Sequence, residues 1–306
     1  MESKNRYNIG INLGFAVNRF PEPEEWIEAV LEIGVRRVQF VADLLNPYLP
    51  KNYRKSKIEK IRELCGQHGI IIESAFTGSF TRVNHFGSED SEIRKYWVNW
   101  FIEYAEQMSL LGVSSIGGHP GILSIKNDLN NLERKKRISD IAHCWNIVIQ
   151  EAEKFGIKRV VWEPMSVSRE LGHTIQDALN FQVILESLAP GKFKICLDLD
   201  HGDIESGNID DTNPFKWIET LGSKIGMLHL KQTTPDRRKH MSFTRENNEK
   251  GTVDAKEIIR KMIENEVPNC TLFLELGFRE RNPDDKLSIV ENQISVNHWL
   301  DAGAQL

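Results

Sequence analysis

The chain has 306 residues, 40% of them hydrophobic, which is enough to bury a full core without disulfides or a partner. Thirty-nine Lys and Arg against 44 Asp and Glu leave a net charge of −5 and no long basic tract, which argues against a nucleic-acid partner. No 18-residue apolar run exists to span a membrane, and Met1-Glu-Ser-Lys-Asn-Arg-Tyr7 lacks the apolar core of a signal peptide, so a cytoplasmic protein with no membrane partner is expected.

One grammar recurs along the chain. An amphipathic stretch ends at a Gly and a short β-branched run follows, first at Val30-Leu-Glu-Ile-Gly34-Val-Arg-Arg-Val-Gln-Phe40. A Gly just past a helix suits the position that takes a left-handed φ, and the apolar run after it reads as a buried strand. The pattern returns at Gly69, Gly112, Gly156, Gly191 and Gly222, each interval holding one strand, one helix and their loops. With a first and a last strand added, strands are expected at 8–13, 36–41, 70–75, 113–118, 158–163, 193–198, 224–229 and 270–275. Helices are expected at 23–33, 53–68, 91–111, 131–156, 174–188, 213–222, 253–266 and 284–302. Eight βα units predict a single α/β domain over 1–306, a closed (β/α)8 barrel. The strand-to-helix loops are the long ones, notably 77–90 and 231–252, and barrel active sites lie on that side. Cys65, Cys144, Cys196 and Cys270 are widely spaced with no C-x-x-C pair, so they read as reduced, buried thiols.

The last residues of strands five to eight are Glu163 in Val160-Val-Trp-Glu-Pro164, Asp198 in Ile195-Cys-Leu-Asp198, His229 in Met227-Leu-His229, and Glu275 in Phe273-Leu-Glu275. One strand-end carboxylate is as readily a helix cap or half of an ion pair. Four metal-ligand types in succession on a barrel rim converge on one point instead. Three carboxylates and one imidazole suit one hard or borderline divalent ion, Mn²⁺, Mg²⁺ or Co²⁺; Zn²⁺ fits less well because sulfur is absent and only one ligand is His. His201, three residues after Asp198, is placed to bond a substrate oxygen or bridge to the metal, and His119 in Gly117-Gly-His-Pro-Gly121 adjoins the site from strand four. A loop histidine satisfied by backbone is the plain alternative for both. Asp200 would point to the other side of an extended chain, and His173 reads equally well as a helix cap.

The quartet Glu163, Asp198, His229 and Glu275, with the Asp-x-x-His of strand six, resembles the xylose isomerase-like barrel superfamily, and within it the ketose 3-epimerases of the tagatose and psicose type. The resemblance runs from the first strand through Asn248-Glu-Lys-Gly-Thr-Val-Asp254. It implies a sugar isomerase or epimerase in which Glu163 and Glu275 bind metal and also exchange the C3 proton through an enediolate, while His201 steadies the charged oxygen. The partner it implies is a small keto-sugar or sugar phosphate; assembly into a homo-oligomer is left open. One departure is plain: the arginine that the family places six residues past the strand-seven histidine is Pro235 here, although Arg237 and Arg238 follow.

A narrower resemblance lies in Gly10-Ile-Asn-Leu-Gly-Phe-Ala-Val-Asn-Arg-Phe-Pro-Glu-Pro-Glu-Glu-Trp26 and Val38-Gln-Phe-Val-Ala-Asp-Leu-Leu-Asn-Pro47, which look like erythrulose 1-phosphate 3-epimerases and other enzymes of polyol breakdown. That subgroup also contains decarboxylases of 3-oxo sugar acids of the 3-oxo-isoapionate type, so decarboxylation stands as the alternative reaction. Either substrate needs an anion site. Arg237, Arg238, Lys239 and His240, with Arg19, Lys231, Arg279 and Arg281, offer one, against the default of a solvated charged loop. Trp162 and Phe278 are candidate apolar walls. An abasic-site endonuclease shares the barrel and would use His119, Glu163, Asp198, His201, His229 and Glu275. Strand three, however, ends in Ser74-Ala-Phe-Thr77 without a histidine and the seventh loop has no Asp-x-His, so its three-zinc cluster would lack ligands.

Overall fold

The computed structural model describes residues 7–236, 240–278 and 284–306. Eight parallel strands, β1 (Asn8–Asn12), β2 (Arg37–Val41), β3 (Ile71–Phe76), β4 (Ser115–Gly118), β5 (Arg159–Trp162), β6 (Phe193–Asp198), β7 (Ile225–Leu230) and β8 (Thr271–Leu274), pair in chain order, and β8 closes against β1. Around this barrel run α1 (Pro23–Ile33), α2 (Lys51–His68), α3 (Ser91–Ser109), α4 (Ile125–Asp128), α5 (Asn131–Ala152), α6 (Ile175–Leu188), α7 (Pro214–Leu221), α8 (Arg245–Lys250), α9 (Ala255–Glu264) and α10 (Asp285–Ala302). The chain is an α/β closed barrel, as expected. The additions are α4 and α8, single short helices capped by Ser124 and Thr244 inside the strand-to-helix loops. Neither is long enough to show a helical period in the sequence.

The first βα unit shows how local chemistry builds the repeat. Pro23 opens α1 with a φ already suited to a helix, and Glu22 and Glu25 cap each other's backbone N–H. Trp26, Ile27, Val30 and Ile33 form the buried face. Gly34 ends the helix at φ 92°, a conformation that costs glycine little, and β2 begins three residues later. The return connections are therefore short, and the chain's spare length collects at the strand C-termini, in residues 77–90 and 231–254. Among the described residues, no helix is long and apolar enough to cross a membrane.

Apolar packing falls into two bodies. One lies between strands and helices and includes Trp26 against Phe40 and Trp145 against Phe101. The other fills the barrel itself with Phe76, Val161, Cys196, Met227 and Phe273. All four cysteines are free and buried; burial pushes the Cys65 and Cys196 thiols up to about 12 and the Cys144 thiol up to about 11. The ring of Phe76 meets His229 edge-on, with centroids 5.2 Å apart, so the interior plug is the floor of the rim above it. Gly117 is what lets Phe76 lie there: a Cβ on it would sit 2.3 Å from Phe76 Cε2 and 2.0 Å from the Val161 carbonyl oxygen.

Gly117→Ala should consequently lose about 2–4 kcal/mol of stability, because the clash is with backbone as well as a ring and cannot be relieved by a rotamer change. Chemical denaturation measures this. A variant as stable as the parent chain would show that β4 has room to move.

Candidate metal centre and substrate cavity

The strand ends bring Glu163, Asp198, His229 and Glu275 together, with one donor atom from each lying within 4.8 Å of all the others. Asp198 ends β6 and pairs in register with His229 of β7. Glu163 and Glu275 stand one residue beyond β5 and β8 instead of ending them. Their backbone N–H groups still bond the neighbouring strands, to Gly118 O at 3.1 Å and Leu230 O at 3.0 Å, so both carboxylates are aimed by the sheet. Glu163, Asp198 and His229 are buried; Glu275 opens partly to the cavity above.

His229 lies at the middle of the cluster. Its Nδ1 is 3.0 Å from Glu163 Oε1 and 3.5 Å from Glu275 Oε2, while Nε2 donates to Gln39 Oε1 at 2.8 Å. The Gln39 bond fixes the ring and turns Nδ1 toward the carboxylates, the usual part of an outer partner in a metal site. Gln39 is held in turn by Asn12 Nδ2, which donates to the same oxygen, and by Ser74 Oγ at 3.3 Å from its own amide nitrogen. Sequence reasoning passed over Gln39 and Asn12. The available signal was a glutamine inside the apolar run Val38-Gln-Phe-Val41, where a polar side chain must find a buried partner.

Lys231 completes the cluster, with Nζ 2.6 Å from Asp198 Oδ2 and 2.7 Å from Glu275 Oε2. Burial alone would raise the Asp198 carboxyl, but His201 and Lys231 outweigh it and hold the group well below the usual range. Burial also works against Glu275, yet His229 and Lys231 bring it down to about 2. For His229, burial is overcome by the Glu275 and Glu163 carboxylates, which raise the imidazole well above its ordinary value. Three carboxylates against the Lys231 ammonium and the raised His229 still leave the buried site anionic, a costly arrangement unless a further cation joins it. An oxygen-rich set with one imidazole is what a hard or borderline divalent ion takes. Cys196 also comes within reach of Glu163 and His229, but its thiol is held protonated by burial.

A cavity of about 290 Å³ opens above the cluster. His201 enters it with Nδ1 2.9 Å from the Pro164 carbonyl oxygen and Nε2 3.3 Å from Asp198 Oδ2, so it is both backbone-held and part of the site. His119 Nε2 lies 3.7 Å from Glu163 Oε2; burial, with Arg82 and His201 nearby, keeps this imidazole neutral. Phe278 lines the cavity. Trp162 does not: it is fully buried, donates to Gln182 Oε1 at 2.7 Å and packs edge-on against Phe181, which corrects its reading as a sugar wall. Asp200 stands outside the quartet, its N–H donating to Asp198 Oδ1 at 2.8 Å, and burial beside Asp198 raises its carboxyl to about 6. Thr174, not His173, caps α6, and His173 pairs with Asp177 at 3.1 Å.

The anion site expected from Arg237, Arg238, Arg279 and Arg281 lies outside the described residues. Guanidinium groups reach the described cavity from Arg19 and Arg82. Arg19 is nearly buried, its Nε 3.2 Å from Asp285 and its guanidinium over the Phe278 ring at 5.9 Å. Arg82, missed in the sequence because it sits mid-loop with no motif, bonds Glu170 at 3.2 Å. Among the described residues no other donor group of this kind stands apart from the quartet and Cys196.

A sequence profile described as xylose isomerase-like TIM barrel matches residues 27–292. A D-erythrulose 1-phosphate 3-epimerase from Brucella abortus (strain 2308) is 31% identical over 305 residues, covering 97% of each chain. Among solved structures, a putative xylose isomerase from Rhodospirillum rubrum superposes with a TM-score of 0.87 at 22% identity, covering 97% of this chain and 99% of that one. A D-psicose 3-epimerase from Clostridium cellulolyticum H10, solved with D-tagatose, gives 0.74 at 19% identity, with the same coverage. With barrel, rim carboxylates and relatives in agreement, the chain is an enzyme of the xylose isomerase-like TIM barrel family, among relatives that are sugar epimerases and isomerases.

Proposed function

We propose that this enzyme is a divalent-metal-dependent 3-epimerase of a short ketose phosphate, of the erythrulose 1-phosphate kind. The observation that carries the reading is the quartet itself, in which Glu163 and Glu275 come from β5 and β8 and flank the Asp198 and His229 of the two strands between them. Similarity to the Brucella enzyme along nearly the whole chain supports the substrate class.

Glu163, Asp198, His229 and Glu275 would hold the ion, with Mn²⁺, Mg²⁺ or Co²⁺ matching the donors. A bound divalent ion supplies Lewis acidity, polarising the ketone and stabilising the charge that develops on its oxygen. Proton movement belongs to the protein. One glutamate removes the C3 proton and the other returns one to the opposite face, so each is base in one direction and acid in the other. His201, its Nδ1–H donating to the Pro164 carbonyl, turns Nε2 into the cavity toward the substrate's oxygens. The neutral His119 imidazole beside Glu163 accepts from a sugar hydroxyl. Lys231, Arg19 and Arg82 line the cavity and offer the phosphate cationic partners; Arg237, Arg238 and Arg279, outside the described residues, remain candidates from the sequence.

Exhaustive chelation should abolish turnover and Mn²⁺, Co²⁺ or Mg²⁺ should restore it; full activity after verified metal removal would sink the metal reading. Glu163→Gln and Glu275→Gln should each lower epimerisation by about 10²–10⁴-fold. Each variant should still wash deuterium from D₂O into one epimer, and the two should choose opposite epimers. Near-normal turnover in either variant favours a decarboxylase, which needs a proton donor on one face only. Arg19→Gln, Arg82→Gln, Arg237→Ala and Arg238→Ala should raise KM for the phosphorylated ketose well above any effect on its neutral analogue. Equal losses on both substrates would make these residues structural.

A further inference from the structure

Lys231 stands among the four donors of the quartet without being one of them. It follows His229 by two positions, so the chain leaving β7 keeps it on the same inward face. Its side chain is 3% exposed, and its two short contacts, to Asp198 Oδ2 and Glu275 Oε2, are both with members of the quartet. A buried ammonium in direct contact with two of four donor residues bears on the ion as well as on the substrate.

We propose that Lys231 is the built-in counter-ion of the metal centre, holding Asp198 and Glu275 in place before the ion arrives and weakening the hold on it afterwards. The inference rests on the metal reading given above. Charge counting gives the sign. Three carboxylates and a divalent ion sum to −1, and Lys231 brings the loaded centre to neutrality; without the ion, the same ammonium opposes the repulsion between Asp198 and Glu275. Two like charges close together in a weakly screened site repel strongly, so the ammonium and the incoming cation compete for the same carboxylate oxygens. Removing the ammonium therefore tightens cation binding and loosens the metal-free protein, and both effects enlarge the stabilisation that the ion confers. A role confined to packing predicts the opposite, because a disordered donor set binds less tightly. A role confined to substrate binding predicts no change in metal affinity at all.

The test titrates Mn²⁺ into full-length, verified metal-free protein by calorimetry, with thermal unfolding followed in parallel and no substrate present. Lys231→Met should lower the Kd for Mn²⁺ at least tenfold, lower the Tm of the metal-free chain and widen the Tm gain on adding Mn²⁺. Lys231→Gln, which keeps hydrogen-bonding reach without charge and preserves the test if the methionine variant misfolds, should move the same way. Lys231→Arg should stay near the parent affinity. Neutral variants that bind Mn²⁺ no more tightly than the parent overturn the proposal while leaving the metal reading intact. Failure of the parent chain itself to take up one Mn²⁺ overturns both.

Discussion

Everything at the active end of this barrel depends on keeping three carboxylates, Glu163, Asp198 and Glu275, within a few ångströms of each other and largely out of water. In solution such groups repel and stay hydrated. Here the parallel ladder gives them no choice: Asp198 pairs in register with His229, and the backbone bonds of Glu163 and Glu275 to adjacent strands fix their direction. The repulsion is answered by Lys231 and by a raised His229. A sheet that closes on itself can sustain this, because opening the cluster would mean breaking the barrel.

The surroundings serve the same constraint. Below, Phe76 and the other residues of the interior plug form a dry floor, and Gly117 gives Phe76 its place. To the side, the Asn12–Gln39–His229 chain runs across β1, β2 and β7 and selects which imidazole nitrogen faces the carboxylates. Above, the strand-to-helix loops bring His119, His201, Arg19 and Arg82 around one cavity. Rigid barrel holds the charges and loops set the company they keep, which is how one fold supports different sugar chemistries.

The histidines show why a loop residue resists assignment by type alone. From the sequence, His201 had two readings, a working group or a ring satisfied by backbone, and the structure gives it both contacts at once, one nitrogen on Pro164 and the other on Asp198. Trp162 separates the other way. Beside Glu163 in the chain, it points outward into the helix layer because successive residues of a strand face opposite sides.

The sequence by itself determined the barrel and the four rim residues. Helix-ending glycines and β-branched runs repeat at an interval only βα units satisfy, and strand C-termini in a closed parallel sheet must converge, so Glu163, Asp198, His229 and Glu275 were legible from periodicity plus chemistry. Gln39, Asn12 and Arg82 were not, because their meaning arises from partners 27 to 190 residues away. Likewise, nothing local in Leu228-His-Leu-Lys231 says that the ammonium bonds two of the expected ligands rather than a substrate. That was decided by the circular order of the strands, which sets β7 between β6 and β8 and so places Lys231 between Asp198 and Glu275. One-dimensional periodicity encodes which face a side chain takes; only closure of the sheet decides whose charge it meets there.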